Sequence, residues 1–372
     1  MSKILKKPLT LTIIAIFFGF VVAAIVLAVA GYPPLKSIGI LFQGVFSSPK
    51  NVSNVIIKST PIIMTGLGVA FAYKTGLFNI GAEGQYIMGC VAATVTGYLL
   101  NLPPVLEVPI VILSGVIAGA IFGGIVGFLK ARFGINEVIT SIMLNWISLY
   151  FSNWICSLAL FHKPSTIGTY PINESAYTMV LWKWKVSDAG LAFFKNSPFL
   201  KSFLLKTDAN VGILVAVAAA ILVYIFLNKT RKGFELRAVG YNKEAAEYTG
   251  IDVKKNILHA MLISGALCGL GASLYITGNA PHSIATLAAF ENVGFNGLSV
   301  AFIATGSPIG CIFAGLLFSG LIYGGQTLQL TLGAPSEIIN IVIGVIVFFV
   351  ALACVIPPLA DKLAKRGERH AK

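Results

Sequence analysis

The chain has 372 residues, 56% of them hydrophobic and 11% charged, where an ordinary soluble domain carries roughly 25% charged residues. A mean hydropathy of +0.86 exceeds what an aqueous core can hide, which excludes a soluble globular protein and calls for a bilayer. The 27 Lys and Arg against 14 Asp and Glu give a net charge of +13. With no basic stripe interleaved with aromatics, that charge reports membrane topology rather than a nucleic-acid partner.

In chain order, ten apolar stretches predict spanning helices: 10–30, 55–72, 86–100, 108–129, 138–160, 211–227, 257–277, 293–305, 309–323 and 338–356. Six approach the roughly 20 residues a crossing needs. The stretches 55–72, 86–100, 293–305 and 309–323 are shorter or broken by Gly, Asn or Pro. An even count puts both termini on one side, and the basic residues sort accordingly. Eighteen fall on the side of Lys3, Lys74, Lys130, Arg132, the 228–256 connection and Lys362, and nine on the other, six of those in the long 161–209 loop. This predicts both termini in the cytoplasm. The first stretch follows Lys3, Lys6 and Lys7, and its length exceeds a signal-peptide core of about 7–15 residues, so it reads as an uncleaved helix.

Three polar clusters interrupt the apolar text. The first, 78–85, holds Asn79, Glu83 and Gln85 among Gly76, Gly81 and Gly84. It reads either as a broken helix lining a path, since irregular backbone at membrane depth needs protein or a water-filled cavity around it, or as a plain inner turn with Glu83 solvated. The second, Asn136 and Glu137, suits an N-cap and its first turn, while Thr140, Ser141, Asn145 and Ser148 share one helical face that bonds to a neighbour or lines a pore. The third, Glu291, Asn292, Asn296 and Ser299, loosely echoes the first beside another shortened stretch. Paired interruptions in two halves point to an internal repeat and a transport site at its interface, although this echo is too short to establish a duplication.

Catalytic and metal sets are not among the expectations. The five cysteines (Cys90, Cys156, Cys268, Cys311 and Cys354) lie in apolar stretches without metal spacing, and His259 and His282 have no partner at ligand spacing. The run from Gly68 to Thr75 puts Tyr73 where a phosphate loop needs its second glycine, so ATP would have to bind another chain.

The 228–256 connection predicts a short helix from Lys243 to Tyr248, capped by Asn242 and ended by Gly250. Under two turns long, it needs a surface to pack against, either the protein's own inner face or another subunit. Its pattern, Thr230-Arg-Lys-Gly233, Arg237-Ala-Val-Gly240, Asn242, Ala245-Ala246 and Gly250-Ile251, resembles the coupling loop of the permease subunits of ABC importers related to the ribose and branched-chain amino-acid systems. Asn79 to Gln85 and Gly134 to Asn145 are similar to patterns of the branch that imports nucleosides with a lipoprotein receptor.

The resemblance covers about 61–344. It implies an all-α polytopic membrane protein of about ten transmembrane helices, forming a single permease domain over 1–372 in the bacterial cell membrane. It also implies a separate ATPase, a second permease subunit, an extracytoplasmic substrate-binding lipoprotein and no cofactor on this chain. Coupling to the ATPase falls on Arg237, Gly240, Asn242, Lys243, Glu244, Ala245, Ala246 and Gly250. The substrate path falls on Asn79, Glu83, Gln85, Asn136, Glu137, Asn145, Glu291 and Asn296, where neutral hydrogen-bonding groups outnumber charges, as suits a nucleoside better than an ion. A sugar, a flavin-like substrate or a gradient-driven carrier is the alternative, and an integral-membrane enzyme is disfavoured. One departure stands out: Ala304 to Pro308 lacks the basic residue expected of the family there. The 161–209 loop, with Trp182, Trp184, Phe193 and Phe194, reads as a receptor contact or an interfacial aromatic anchor.

Overall fold

The computed structural model describes residues 8–350 and 352. The N-terminal lysines, the basic cluster after 361 and Cys354 lie outside the described residues, and so does the expectation that both termini are cytoplasmic. The helices in chain order are α1 Pro8–Val29, α2 Pro34–Phe46, α3 Pro49–Lys74, α4 Ala82–Leu99, α5 Pro104–Phe133, α6 Glu137–Ser157, α7 Asp188–Lys195 and the single turn α8 Pro198–Leu200. They continue with α9 Gly212–Lys229, α10 Arg231–Tyr241, α11 Lys243–Tyr248, α12 Val253–Gly278, α13 Val293–Ile303, α14 Pro308–Leu332 and α15 Ser336–Val350. Extended structure among the described residues amounts to three isolated bridges. The protein is an all-α polytopic membrane protein.

Each of the ten predicted stretches is helical over all its described residues but, in five of them, one to three at an end. By length and composition α3, α5, α9, α12 and α14 can each cross a membrane, and α1 with α2 passes as a pair bent by 120°. The remaining stretches, α4, α6, α13 and α15, carry polar faces or are shorter. α7 and the turn α8, inside the 161–209 loop, go beyond the sequence reading, as do α2 and α10. α2 follows Pro33 and starts on Pro34, whose fixed φ suits a first helical position, after Gly31 has turned the chain at φ +85°. α10 is capped by the Thr230 hydroxyl, which accepts from Gly233 N at 3.0 Å, and buries Leu236 and Val239.

The chain forms two compact units, one of 52–319 and one of the described residues on either side of it. In the flanking unit, Gly44 of α2 lies against Gly324 and Thr327 of α14, Gly19 of α1 approaches the backbone of Ile346, and Phe20 packs on Phe42 at 5.4 Å.

The 52–319 unit has two buried apolar clusters. One gathers Tyr86, Cys90, Val111, Leu149, Cys156 and Ile276; the other gathers Phe71, Leu77, Val126, Leu227, Leu236 and Met261 beneath α10. Between them runs a seam of small residues. Gly115, Gly119 and Gly123 of α5 face Gly265 and Gly269 of α12, so close that a Cβ on Gly119 would meet the Gly265 carbonyl oxygen and lie 2.9 Å from Gly269 Cα. Small residues every fourth position let two backbones touch and gain dispersion that lipid cannot outcompete. Ser273 Oγ adds a bond across the seam to Ile112 O at 3.1 Å.

The segment after α6 is stitched down by polar bonds. Glu107, fully buried, accepts from Leu102 N at 2.9 Å and Ser175 Oγ at 2.6 Å. Lys185 donates to Thr207 O at 3.0 Å, and burial pushes its ammonium pKa down. Trp184 packs on Phe193 and Phe194, and Trp182 on Tyr177.

Replacing Gly119 by Val forces the α5–α12 seam apart and costs about 1–3 kcal/mol, as overpacking does. A lower unfolding midpoint of the detergent-purified protein is the expected readout, with Ile117→Val on the exposed face of α5 as the neutral control.

Candidate functional site

α3 ends at Lys74 and α4 starts at Ala82, so the 75–81 segment is a true break in helical structure. Its polar side chains are internal. Asn79 and Gln85 exchange amide bonds at 2.9 and 3.1 Å, and Asn79 Nδ2 also donates to Ser264 Oγ of α12 at 2.7 Å. Asn145 of α6 serves the same break: its Oδ1 accepts from Gly84 N at 2.8 Å and its Nδ2 donates to Ile80 O at 3.1 Å.

Glu83 is 0% exposed, and the solvated turn that the sequence left open does not occur. Its carboxylate accepts from Asn292 N at 2.9 Å, Gly294 N at 2.6 Å and Phe295 N at 3.3 Å, the free donors at the start of α13. Asn292 adopts φ +64°, which Asn tolerates better than most residues and which turns its N–H toward the carboxylate. Gly294 presses on the Ala82–Glu83 backbone so tightly that no side chain fits. The two echoing segments thus meet directly, the first capping the second.

Asn136 and Glu137 lie elsewhere. Asn136 caps α6 through Val138 N at 2.8 Å, and Glu137 pairs with Lys130 at 2.7 Å, about 12 Å along the helix from Asn145. Asn296 is half-buried on α13.

Glu291 borders a cavity of about 130 Å³ walled by Tyr86, Ile87 and Cys90 of α4, Ser152 of α6, Tyr275 of α12 and Pro281, Ser283 and Leu287 of the 279–292 connection. Tyr86 is 2% exposed, and its hydroxyl has no nitrogen or oxygen partner among the described residues, only the weak Cys90 thiol beside it. The Tyr86 and Tyr275 ring centroids lie 6.3 Å apart. Asn153 clamps the connection, donating to Leu287 O and accepting from Leu287 N, both at 2.9 Å. His282 stacks on Tyr177 at 3.8 Å, and burial lowers its pKa. Tyr86, Tyr275 and Ser152 were not legible as site residues, since aromatics in apolar stretches read as core. Ser152 does continue the polar face of Ser141, Asn145 and Ser148 by one more turn.

At the other end of α12, Asn242 caps α11 through Ala245 N at 3.0 Å and Gly250 ends it at φ +83°. Ala246 is buried at 3%, whereas Lys243, Glu244 and Ala245 are exposed. Gly240 abuts the Lys74–Gly76 turn, where a Cβ would collide with Lys74 O. Arg237 borders a second cavity of about 390 Å³ with Lys74, Tyr73, Asn228 and Tyr241, and its Nε has no described partner. Lys74 Nζ reaches Thr305 O at 3.5 Å, so a distant lysine brings positive charge to the turn that lacks its own.

Glu83→Ala leaves three backbone donors unpaired, at about 1–3 kcal/mol for each that stays buried. Both this variant and Asn145→Leu are expected to lower the unfolding midpoint of the purified protein, whereas Asn136→Ser, which keeps a capping oxygen, should not.

The family model described as "Branched-chain amino acid transport system / permease component" matches residues 51–351. The chain is 38% identical to the guanosine ABC transporter permease protein NupP of Bacillus subtilis, over 96% of this chain and 97% of that one. It is 34% identical to the nucleoside ABC transporter permease protein NupB of Lactococcus lactis, over 96% and 94%. It is 30% identical to the glucose ABC transporter permease protein TsgB13 of Haloferax volcanii, over 91% and 85%. The chain therefore belongs to the permease-component family of branched-chain amino acid transport systems, within which its near full-length relatives are ABC transporter permeases.

Proposed function

We propose that the chain is a permease subunit of an ATP-driven nucleoside importer in the bacterial cell membrane. The near full-length identity to permeases named for guanosine and nucleosides carries this reading. The relative named for glucose leaves a sugar as the second reading, and the two tyrosines beside the cavity favour a ring with a π face.

ATP hydrolysis belongs to a separate subunit that docks on α11 from the cytoplasm. Its contact is the exposed surface of Lys243, Glu244 and Ala245, with the donors of Arg237 and Lys74 beside it for an acidic group. Ala246 instead holds α11 to its own chain. A second permease subunit completes the path, and an extracytoplasmic lipoprotein delivers the substrate.

Movement has a direct route. α11 leads through Gly250 and the Asp252 cap into α12, a rod of 26 residues and about 39 Å that carries Ser264, bound to Asn79, and Tyr275 at the cavity. A push on α11 reaches both positions through one rigid element, as alternating access requires.

Cells making the importer should take up labelled guanosine when ion gradients are collapsed and fail to do so when ATP is depleted. Uptake that follows the gradient instead makes the protein a secondary carrier. Ala245→Trp should abolish copurification of the ATPase while leaving the unfolding free energy within about 0.5 kcal/mol of the parent, as exposed substitutions do. A retained ATPase would move the docking surface away from α11.

A further inference from the structure

Four of the eight groups expected to line the substrate path are already occupied. Asn79, Gln85, Asn145 and Glu83 spend their hydrogen-bonding capacity on one another, on Ser264 and on backbone at the helix break and at the start of α13. The cavity one turn along α4 from Glu83 is different. Tyr86 presents a buried hydroxyl that no described nitrogen or oxygen serves and that has at most the weak Cys90 thiol beside it, and a buried polar group in a native fold calls for a better partner. Glu291 borders the same space, and no described cation pairs with it.

Size and chemistry narrow the occupant. A space of about 130 Å³ is comparable with the ~150 Å³ cavity that admits benzene, so it takes a single ring system, and because it is partly open, with Glu291 exposed at its border, an attached sugar would lie outside it. Ile87 and Leu287 supply apolar walls and Tyr275 an aromatic one, as suits a planar base. A carboxylate accepts two hydrogen bonds side by side. Guanine offers two adjacent donors, its ring N1–H and exocyclic N2–H₂; hypoxanthine offers one, and adenine places a ring acceptor there, which a carboxylate repels.

We propose that this cavity is a base subsite, in which Glu291 receives the N1–H and N2–H₂ edge of a guanine base lying against Tyr275, and the Tyr86 hydroxyl bonds to a ring acceptor. The inference rests on the nucleoside reading and adds the base and the residues that choose it. Selection of this kind resides in the permease and operates apart from any receptor.

The test uses the purified permease–ATPase complex without receptor and measures displacement of tritiated guanosine by unlabelled guanosine, 2′-deoxyguanosine, inosine and adenosine. The expected order is guanosine equal to deoxyguanosine, inosine about tenfold weaker and adenosine about 100-fold weaker, each lost charged hydrogen bond costing roughly a factor of ten. Glu291→Gln should weaken guanosine at least tenfold and strengthen adenosine several-fold, since the amide no longer repels the adenine ring acceptor and can donate to it. Tyr86→Phe should weaken all four alike, by about threefold or more, without loss of the unfolding midpoint.

A wild-type complex that binds no guanosine, or a Glu291→Gln complex that keeps the wild-type order, overturns the subsite. An effect of Glu291→Gln on ribonucleosides but not on deoxyguanosine also overturns it, assigning the carboxylate to the ribose. Guanosine uptake in cells is measured in parallel. Uptake without complex binding leaves the nucleoside reading standing and removes the cavity, whereas neither uptake nor binding of any nucleoside removes both.

Discussion

The 52–319 unit is organised around a buried carboxylate that closes the N-terminus of a short helix. A helix start leaves backbone donors without intrahelical partners, and where neither water nor lipid can serve them the protein must. Glu83 does so for α13 with three backbone bonds, and the tight seating of Gly294 on Glu83 admits no looser arrangement. The benefit is mutual, because an unpaired carboxylate at this depth would be costly and the helix dipole and converging N–H groups offset that cost. The consequences reach outward. Fixing the start of α13 fixes the end of the 279–292 connection, which, with Asn153 holding Leu287, sets Glu291 at the cavity. Glu83, Tyr86 and Cys90 sit three and four residues apart on one face of α4, so the cap and the cavity wall form one continuous surface.

α12 ties the cavity at one of its ends to α11 at the other. Backbone contact with α5 through small residues makes α12 a member that cannot bend or slide without separating Gly265 and Gly269 from Gly115 and Gly119. A displacement applied near Asp252 is therefore delivered along its length, as rigid-body motion between packed elements. Ser264, midway, donates to Gly68 O of α3 at 2.6 Å and accepts from Asn79, joining α3, the helix break and α12 at one hydroxyl.

Much of this was legible in the sequence. Long apolar runs locate the ten helical stretches because a bilayer leaves little alternative, and Asn242 with Gly250 bounds α11 to the residue. α2 escaped because thirteen residues carrying Lys36, Ser37 and Gln43 look like a connection, and α10 because its mean composition is polar although Leu236 and Val239 are buried. The polar clusters stood out within apolar text. What they bond to did not: Asn145 meets Gly84 across 61 positions and Glu83 meets the α13 start across more than 200, and no local pattern encodes such pairings. Lys74 supplying charge to the 304–308 turn is hidden for the same reason.

The arrangement also says why polar residues along a transport route need not themselves touch cargo. A ligand shifts a conformational equilibrium only by the difference in its affinity for the two states. Side chains consumed by internal bonds in one state hold that state together, while a weakly served hydroxyl and an unpaired carboxylate are available for a ligand to complete. In this chain the two kinds of group lie one turn apart on α4, and α12 touches both, through Ser264 at Asn79 and Tyr275 at Tyr86. Filling the cavity and moving α12 are then two ways of changing the same contacts, which is the physical requirement for the proposed coupling of substrate to a push on α11.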